Sequence, residues 1–265
     1  MNDFSCMTLQ AIQTALLAGH LLKKGFDTSF SIQEKEGMYN LVTEYDLKSE
    51  EVILSSLRKA FPSHGFLSEE KGKEHIEKEV VWVIDPLDGT VNFAHGIPHF
   101  SISIAATMDK KPFVGVVYQP MTQELFVAEK NKGAFLNGKK LCVSSNSNLM
   151  KAFLATGFPY NLRDNPDRCM ERLFNVLKEG LPLRRLGSAA IDLAYVATGR
   201  FDGFWETNLG AWDCAAGVLL VEEASGKISD FEGREWQMKE KNALLASNGK
   251  IHEALLSLMQ KARNL

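Results

Sequence analysis

Two aspartates, Asp85 and Asp88, follow directly on five apolar residues, Val80-Val81-Trp82-Val83-Ile84. The run is rich in β-branched side chains and reads as a buried strand. Carboxylates placed where such a strand ends repel one another and lose hydration, and a cation makes that arrangement tolerable. Magnesium and calcium take oxygen ligands, and magnesium favours carboxylates supplemented by water and substrate phosphate. Pro86 fixes the backbone between the acids, and Gly89 permits a tight turn beside a ligand. A lone Asp-x-x-Asp is more often a surface turn with an aspartate capping a helix. Here the buried strand before it and Gly89-Thr90 after it favour the ion.

Other acids stand elsewhere in the chain. Glu69-Glu70 follows Gly65-Phe66-Leu67-Ser68, and alone such a pair reads as solvated surface. Asp213, in Ala211-Trp212-Asp213-Cys214-Ala215-Ala216-Gly217, opens a helix of small and apolar residues. An aspartate there caps the helix, and a helix N-terminus also suits an anion, so Asp213 could cap and hold a metal together. Asp46, in Leu41-Val42-Thr43-Glu44-Tyr45-Asp46, reads as a helix cap with Thr43 beside it. His95 and His99 follow the acidic loop, where a proton shuttle could work. Metal-activated water needs no histidine base, so these two and His64 read as structural.

The surrounding elements must position these groups. Leu9, Ile12, Leu16 and Leu22, with Ala15 and Ala18, have helical spacing that stops at Gly25. A second helix starts near Asp46, with Val52, Leu54, Leu57 and Phe61 on its apolar face and Pro62 at its end. Strands follow over 101–107, 113–118 and 124–128, punctuated by Pro112, Pro120 and Asn137-Gly138. Beyond the polar stretch 144–148, helices at 167–178, 188–198 and 213–224 alternate with short strands at 201–205 and 243–246. A closing helix covers 251–262. This predicts an α+β fold, one domain over 1–265, with halves of about 1–145 and 146–265 sharing a cleft.

A net charge of −3 argues against a nucleic-acid binder driven by bulk charge. The four cysteines are far apart without Cys-x-x-Cys spacing, which suggests neither disulfides nor zinc and fits a reducing cytoplasm. Residues 7–22 are interrupted by Gln10, Gln13, Thr14 and His20 and preceded by Asp3, which fits neither a membrane span nor a signal peptide.

Together the motifs resemble the inositol monophosphatase family. Its upstream Glu-Glu, its segment matched by Asp85 through Phe93, and its segment matched by Trp212 through Gly217 occur here in order. Arg184-Arg185-Leu186-Gly187-Ser188-Ala189-Ala190 and Thr156-Gly157-Phe158-Pro159 look like bacterial inositol-1-monophosphatases. The resemblance covers essentially the whole chain. It implies a layered α/β/α/β/α sandwich of the sugar-phosphatase type, and Mg2+-dependent hydrolysis of myo-inositol monophosphate by metal-activated water.

Residue by residue, the resemblance implies that Glu69, Asp85 and the Leu87 carbonyl hold one Mg2+. Asp85, Asp88 and Asp213 would hold a second, with Asp85 bridging. Glu70 would hold a water near a weaker third ion. Thr90, paired with Asp46, would orient the attacking water, with Glu69 completing the catalytic set. Leu87, Asp88, Gly89 and Thr90 would surround the phosphate. Arg184, Gly187, Ser188, Ala189, Glu206 and Asp213 would face the rest of the substrate, with Glu206 on a ring hydroxyl and Arg184 also suited to a subunit contact.

The resemblance further implies a homodimer, lithium sensitivity, and no membrane or direct nucleic-acid partner. The same metal core serves relatives acting on fructose 1,6-bisphosphate, 3'-phosphoadenosine 5'-phosphate, NADP or histidinol phosphate. Some bacterial relatives are linked to RNA polymerase and ribosomal RNA transcription, so a binding role in contact with the transcription machinery is an expectation of a different class.

Overall fold

The computed structural model of the chain describes residues 4–34 and 41–261. Ser5 accepts the Thr8 N–H and starts α1 (Cys6–Gly25), whose buried side includes Ala11, Ala15, Ala18 and Leu22. β1 (Ile32–Glu34) and β2 (Leu41–Thr43) pair as a small ribbon. Thr43 then caps α2 (Glu44–Ala60). The predicted apolar face of α2 is turned slightly. Its buried residues are Asp46, Ser49, Glu50, Ile53, Leu54 and Leu57, a stripe that begins with polar side chains.

A large sheet follows. Its strands are β3 (Gly65–Ser68), β4 (Gly72–Glu74), β5 (Val80–Asp88), β6 (Ser101–Met108), β7 (Lys111–Gln119), β8 (Glu124–Glu129), β9 (Gly133–Leu136) and β10 (Lys139–Lys140). The short helix α3 (Thr90–Ala94) lies between β5 and β6. The order is β10-β9-β8-β7-β6-β5-β3-β4, with β3 parallel to β5 and the other neighbours antiparallel. The predicted hairpins are therefore β6, β7 and β8.

The second sheet is smaller. In chain order its region contains β11 (Leu154–Thr156), α4 (Cys169–Lys178), β12 (Leu183–Arg184), α5 (Ala189–Ala197), β13 (Gly203–Leu209), α6 (Ala211–Glu223), β14 (Lys227–Ser229), β15 (Asn242–Ser247) and α7 (His252–Gln260). The strands are ordered β12-β11-β13-β15-β14. The helix expected over 167–178 begins two residues late. Asp167 and Arg168 have φ of 50° and 56°, so a separate 3-10 turn precedes α4. The strand expected over 201–205 lies later, because the chain turns at Phe201 and Asp202 before pairing with β15 from Gly203. The closing helix ends at Gln260, and Ala262 of the expected span lies outside the described residues.

Layering follows from burial. α1 and α2 cover one face of the large sheet around Trp82, Ile84, Ile102 and Ile104. α5 and α6 cover its other face and also pack on the small sheet, joining Val83, Val117, Leu193, Leu220, Phe204 and Ala246 in one core. α4 and α7 close the outer face of the small sheet around Leu154, Leu245 and Leu255. The result is an α/β/α/β/α sandwich. β6 is buried along nearly its whole length because helices lie on both faces, which explains its lack of polar alternation. Among the described residues no helix is long and apolar enough to cross a membrane.

The middle layer depends on close approach. A Cβ added at Gly217 would sit 2.6 Å from the Leu193 side chain, and one at Gly115 would sit 2.9 Å from the Ala216 carbonyl oxygen. Gly217→Ala should therefore lower the unfolding free energy by about 1–3 kcal/mol in urea denaturation, through overpacking between α5 and α6. Helix propensity alone would raise stability by about 1 kcal/mol, so an unchanged or raised midpoint refutes the tight contact.

Candidate active site

β5 carries the acidic loop as its own C-terminal end. Its pairing with β6 runs Asp85↔Ser103 and then Asp88↔Ser101. Three residues of β5 thus span two of β6, a bulge with one extra residue. Pro86 lacks an N–H and fits inside the bulge without breaking the ladder. The bulge is closed by the Leu87 N–H, which donates to Asp85 Oδ1 at 2.9 Å. Gly89 follows with φ +94°, and a Cβ there would stand 3.1 Å from the His99 carbonyl oxygen and 3.2 Å from that of Gly187. Only glycine suits both the left-handed backbone and that approach.

The same turn joins the two sheets. Asp88 Oδ2 accepts from Ser188 Oγ at 2.5 Å and from the Ala190 N–H at 2.9 Å, at the start of α5. Asn92 Nδ2 donates to the carbonyls of His99 at 2.7 Å and Leu186 at 2.9 Å. Gly187, Ser188 and Ala189, expected to face the substrate, thereby come to the acidic loop. Asn92 was part of the motif without an expected task, and its task is to tie α3 to the loop before α5.

Asp213 sits one turn from where the sequence placed it. Gly210 is the cap and α6 starts at Ala211. Asp213 is the third helical residue, and its Oδ2 accepts from the Gly210 N–H at 2.6 Å. Asp46 likewise occupies the third position of α2. Its Oδ2 accepts from Thr43 N at 2.7 Å and Thr43 Oγ1 at 2.6 Å, while its Oδ1 lies 2.8 Å from Thr90 Oγ1. Capping and the Thr90 contact therefore coexist. The Thr90 hydroxyl also stands 3.0 Å from the Leu87 carbonyl oxygen. Glu69 and Glu70 are partly exposed just beyond β3, and the Glu69 N–H donates to the Ile84 carbonyl at 3.2 Å.

The electrostatics distinguish this cluster from a surface turn. Asp85 is 1% exposed. Burial, then the charges of Glu69, Asp88 and Asp213, push its carboxyl well above the usual range. Asp213 is raised in the same way by burial, Glu69 and Asp88. Burial pushes Asp88 up to about 6 although Ser188 and the start of α5 pull it down. Burial raises Asp46 to about 6 against its three hydrogen bonds. This donor set is all oxygen, buried and self-repelling, and it suits a hard divalent cation. Among the described residues no three acidic, His or Cys side chains stand closed around a single ion position as they are.

Glu206 lies on β13 where the pairing with β15 shifts register. Burial and the charge of Asp88 push it up to about 8, opposed by Arg185. A Cβ at Gly157 would stand 2.0 Å from Glu206 Oε2, so the Thr156-Gly157-Phe158-Pro159 turn packs directly on this carboxyl. Arg184 is not the cation on this side. It is exposed, donates to the Leu183 carbonyl and covers the Phe153 ring at 4.9 Å. Arg185 instead is the cation felt by Glu206, Asp192 and Tyr160.

Sequence reasoning did not single out three groups here. Asp192 on α5 is 1% exposed and raised well above the usual range by burial, Glu206 and Asp88. Tyr160, 59% exposed overall, is pushed up to about 12 by loss of solvent around it and by the charges of Glu69, Asp213 and Asp88. Arg185 is the third. The histidines take structural places. His64 Nδ1 lies 3.0 Å from Trp82 Nε1, His95 Nδ1 lies 2.8 Å from the Val91 carbonyl, and the His99 ring meets Tyr195 edge-on.

Residues 3–264 match the sequence profile described as the inositol monophosphatase family. The chain is 42% identical over 252 residues to the inositol-1-monophosphatase of Mesorhizobium japonicum, covering 94% of each. It is 43% identical over 259 residues to the Nus factor SuhB of Pseudomonas aeruginosa, again covering 94% of each. The crystal structure of the extragenic suppressor protein suhB from Bartonella henselae superposes with a TM-score of 0.92 at 38% identity, covering 98% of this chain and 100% of that one. The layered fold, the order of the acidic segments and these similarities agree: the chain belongs to the inositol monophosphatase family.

Proposed function

We propose that the chain is a Mg2+-dependent phosphomonoesterase that hydrolyses myo-inositol monophosphate to inositol and phosphate. The observation that carries this reading is a buried Asp85 beside a buried Asp88 at the end of one strand, with Asp213 held at the start of α6 and Glu69 just beyond β3, so that burial and then these charges raise the Asp85 carboxyl. Glu69, Asp85 and the Leu87 carbonyl would hold one ion, and Asp85, Asp88 and Asp213 a second. Bound ions supply charge neutralisation for the phosphate and leaving oxygen, and lower the pKa of a water nucleophile.

The chain's own groups have the remaining tasks. Asp46 holds the Thr90 hydroxyl in place, so that Thr90 Oγ1 can orient a water beside the Leu87 carbonyl. Gly89 lets the backbone approach the phosphate without a side chain in the way. Ser188 and the Ala190 N–H fix the Asp88 carboxyl, so that it does not swing towards the substrate. Glu206 and Arg185 flank the side away from the Asp85 loop, where a polyol hydroxyl can pair with a carboxyl. We read the chain as one domain of two halves, with Asp88 to Ser188 as the link between them. A homodimer and a cytoplasmic place complete the reading.

Related substrates of the same chemistry are fructose 1,6-bisphosphate, 3'-phosphoadenosine 5'-phosphate, NADP and histidinol phosphate. A contact with the transcription machinery is a second reading, supported by the similarity to a protein named Nus factor SuhB. A panel of these phosphates at one Mg2+ concentration, read as released phosphate, tests the first reading. Inositol 1-phosphate should lead it.

Asp85→Asn should abolish turnover while leaving the far-ultraviolet dichroism unchanged, since one substitution weakens both ions. A variant retaining more than about a tenth of the wild-type rate, a barrier change under ~1.4 kcal/mol, removes Asp85 from the bridging position. Assayed at about pH 9, where the Glu206 carboxyl is ionised, Glu206→Gln should lower kcat/KM for inositol 1-phosphate by roughly ten- to a hundredfold, the ~1.5–3 kcal/mol of a charged hydrogen bond. It should affect p-nitrophenyl phosphate less and leave the Mg2+ requirement in place. Equal losses on both substrates would move Glu206 out of the substrate pocket. Lithium in the millimolar range should inhibit, and activity unchanged at tens of millimolar would count against the lithium-sensitive group.

A further inference from the structure

Helix α2 does more than hold Asp46. Its next two inward positions, Ser49 and Glu50, are 0% exposed although both are polar. Ser49 Oγ donates to the Pro86 carbonyl at 2.7 Å, between Asp85 and Leu87. Glu50 Oε1 accepts three hydrogen bonds: from Ser68 Oγ, from the Glu70 N–H at 3.1 Å and from the Lys71 N–H at 2.9 Å. Ser68 and Glu70 are the two neighbours of Glu69. The acid at position 69 is therefore gripped from both sides by one carboxyl group. The other Glu50 oxygen, Oε2, is buried with no hydrogen-bond partner among the described residues.

A buried acceptor without a partner opposes folding. A helix needing only a core contact at this position would be better served by leucine or methionine. Positions 46, 49 and 50 lie on one helical face, and each grips a different piece of the acidic loops. Packing of Ile53, Leu54 and Leu57 on the large sheet fixes the rest of that face.

We propose that Glu50 is a positioning residue that sets the Mg2+ affinity of the site by holding the Ser68 hydroxyl on one side of Glu69 and the Glu70 and Lys71 N–H groups on the other. The inference rests on the assignment of Glu69 as an ion ligand. Groups that orient ligands without touching the ion typically change its affinity by about 10–100-fold when removed. Ser49 has the same office for the Asp85–Leu87 turn.

The test is calorimetric titration of Mg2+ into the metal-free full-length protein, comparing wild type with Glu50→Met and Glu50→Gln, alongside thermal melting. Methionine keeps the volume and removes the acceptor, whereas glutamine keeps an oxygen for the three donors. Glu50→Met should weaken Mg2+ binding by about tenfold or more. Glu50→Gln should stay within about threefold of wild type. At saturating Mg2+, the KM for inositol 1-phosphate should be unchanged in both.

Glu50→Met binding Mg2+ like wild type, with only a lower melting temperature, overturns the proposal and leaves Glu50 as packing. Glutamine losing as much as methionine overturns it also, because the acceptor geometry would then not be the cause. If Glu50→Met does not fold, Glu50→Asp replaces it. That variant draws the oxygen back by one methylene, and the same weakening is expected. Wild type that binds Mg2+ but hydrolyses no phosphate on the panel defeats the substrate reading while leaving this test intact. Wild type that binds no Mg2+ defeats both.

Discussion

Repulsion between buried carboxyl groups is the constraint around which the rest is arranged. Asp85 and Asp88 come from the end of β5 and Asp213 from the first turn of α6, yet Asp88 and Asp213 both raise the proton affinity of Asp85, and Asp88 raises that of Asp213. Left alone they would separate or stay protonated. The fold prevents separation. Asp85 is held by the Leu87 N–H, Asp88 by α5, and Asp213 by the Gly210 N–H, each at one carboxyl oxygen. Packing of α5 and α6 against both sheets then locks the three supports together.

The second constraint is how little space the site leaves for side chains. Gly89 faces two carbonyl oxygens, Gly157 faces Glu206, and Gly217 faces Leu193. At Gly157 the backbone comes directly against the Glu206 carboxyl, at Gly89 it meets the loop before α5, and at Gly217 it lets α5 and α6 close on each other. These approaches also explain why the motif glycines are spread over segments far apart in sequence. Rigid supports of this kind suit chemistry that depends on positioning more than on an activated side chain.

Much of this was legible in the sequence. The Val80–Ile84 run, Pro86 and Gly89 marked the end of a buried strand, and the helical spacing of α1 and the three hairpin strands was clear. The short strands β9, β11, β12 and β14 were not, because two to four residues carry no alternation to read, and β11 exists only through its parallel partners β12 and β13. Asp213 was expected as a cap. The glycine three residues earlier starts the helix instead, a signal present in the sequence as Gly210-Ala211. Arg184 and Arg185 could not be told apart by type. β12 ends at Arg184, which covers Phe153, and the chain leaves the strand at Arg185, whose charge acts on Glu206, Asp192 and Tyr160. Ser49 and Glu50 were hidden because the apolar face of α2 was traced through Val52 and Phe61. The spacing 46, 49, 50, 53, 54, 57 is itself helical, and would have exposed two polar residues on a buried stripe.

The central claim is that the buried acids are a cation site. The most direct measurement is thermal melting of the metal-free protein from pH 5 to pH 8.5, with and without Mg2+. Asp88 is raised from 3.8 to about 6 and Glu206 from 4.5 to about 8. In that window the unfolded chain binds fewer protons than the folded one, so stability should fall as pH rises. Mg2+ at about a hundred times its dissociation constant should add ~2.7 kcal/mol, several degrees of melting temperature, with the larger gain at high pH. A melting temperature indifferent to Mg2+ at pH 8 would contradict the account.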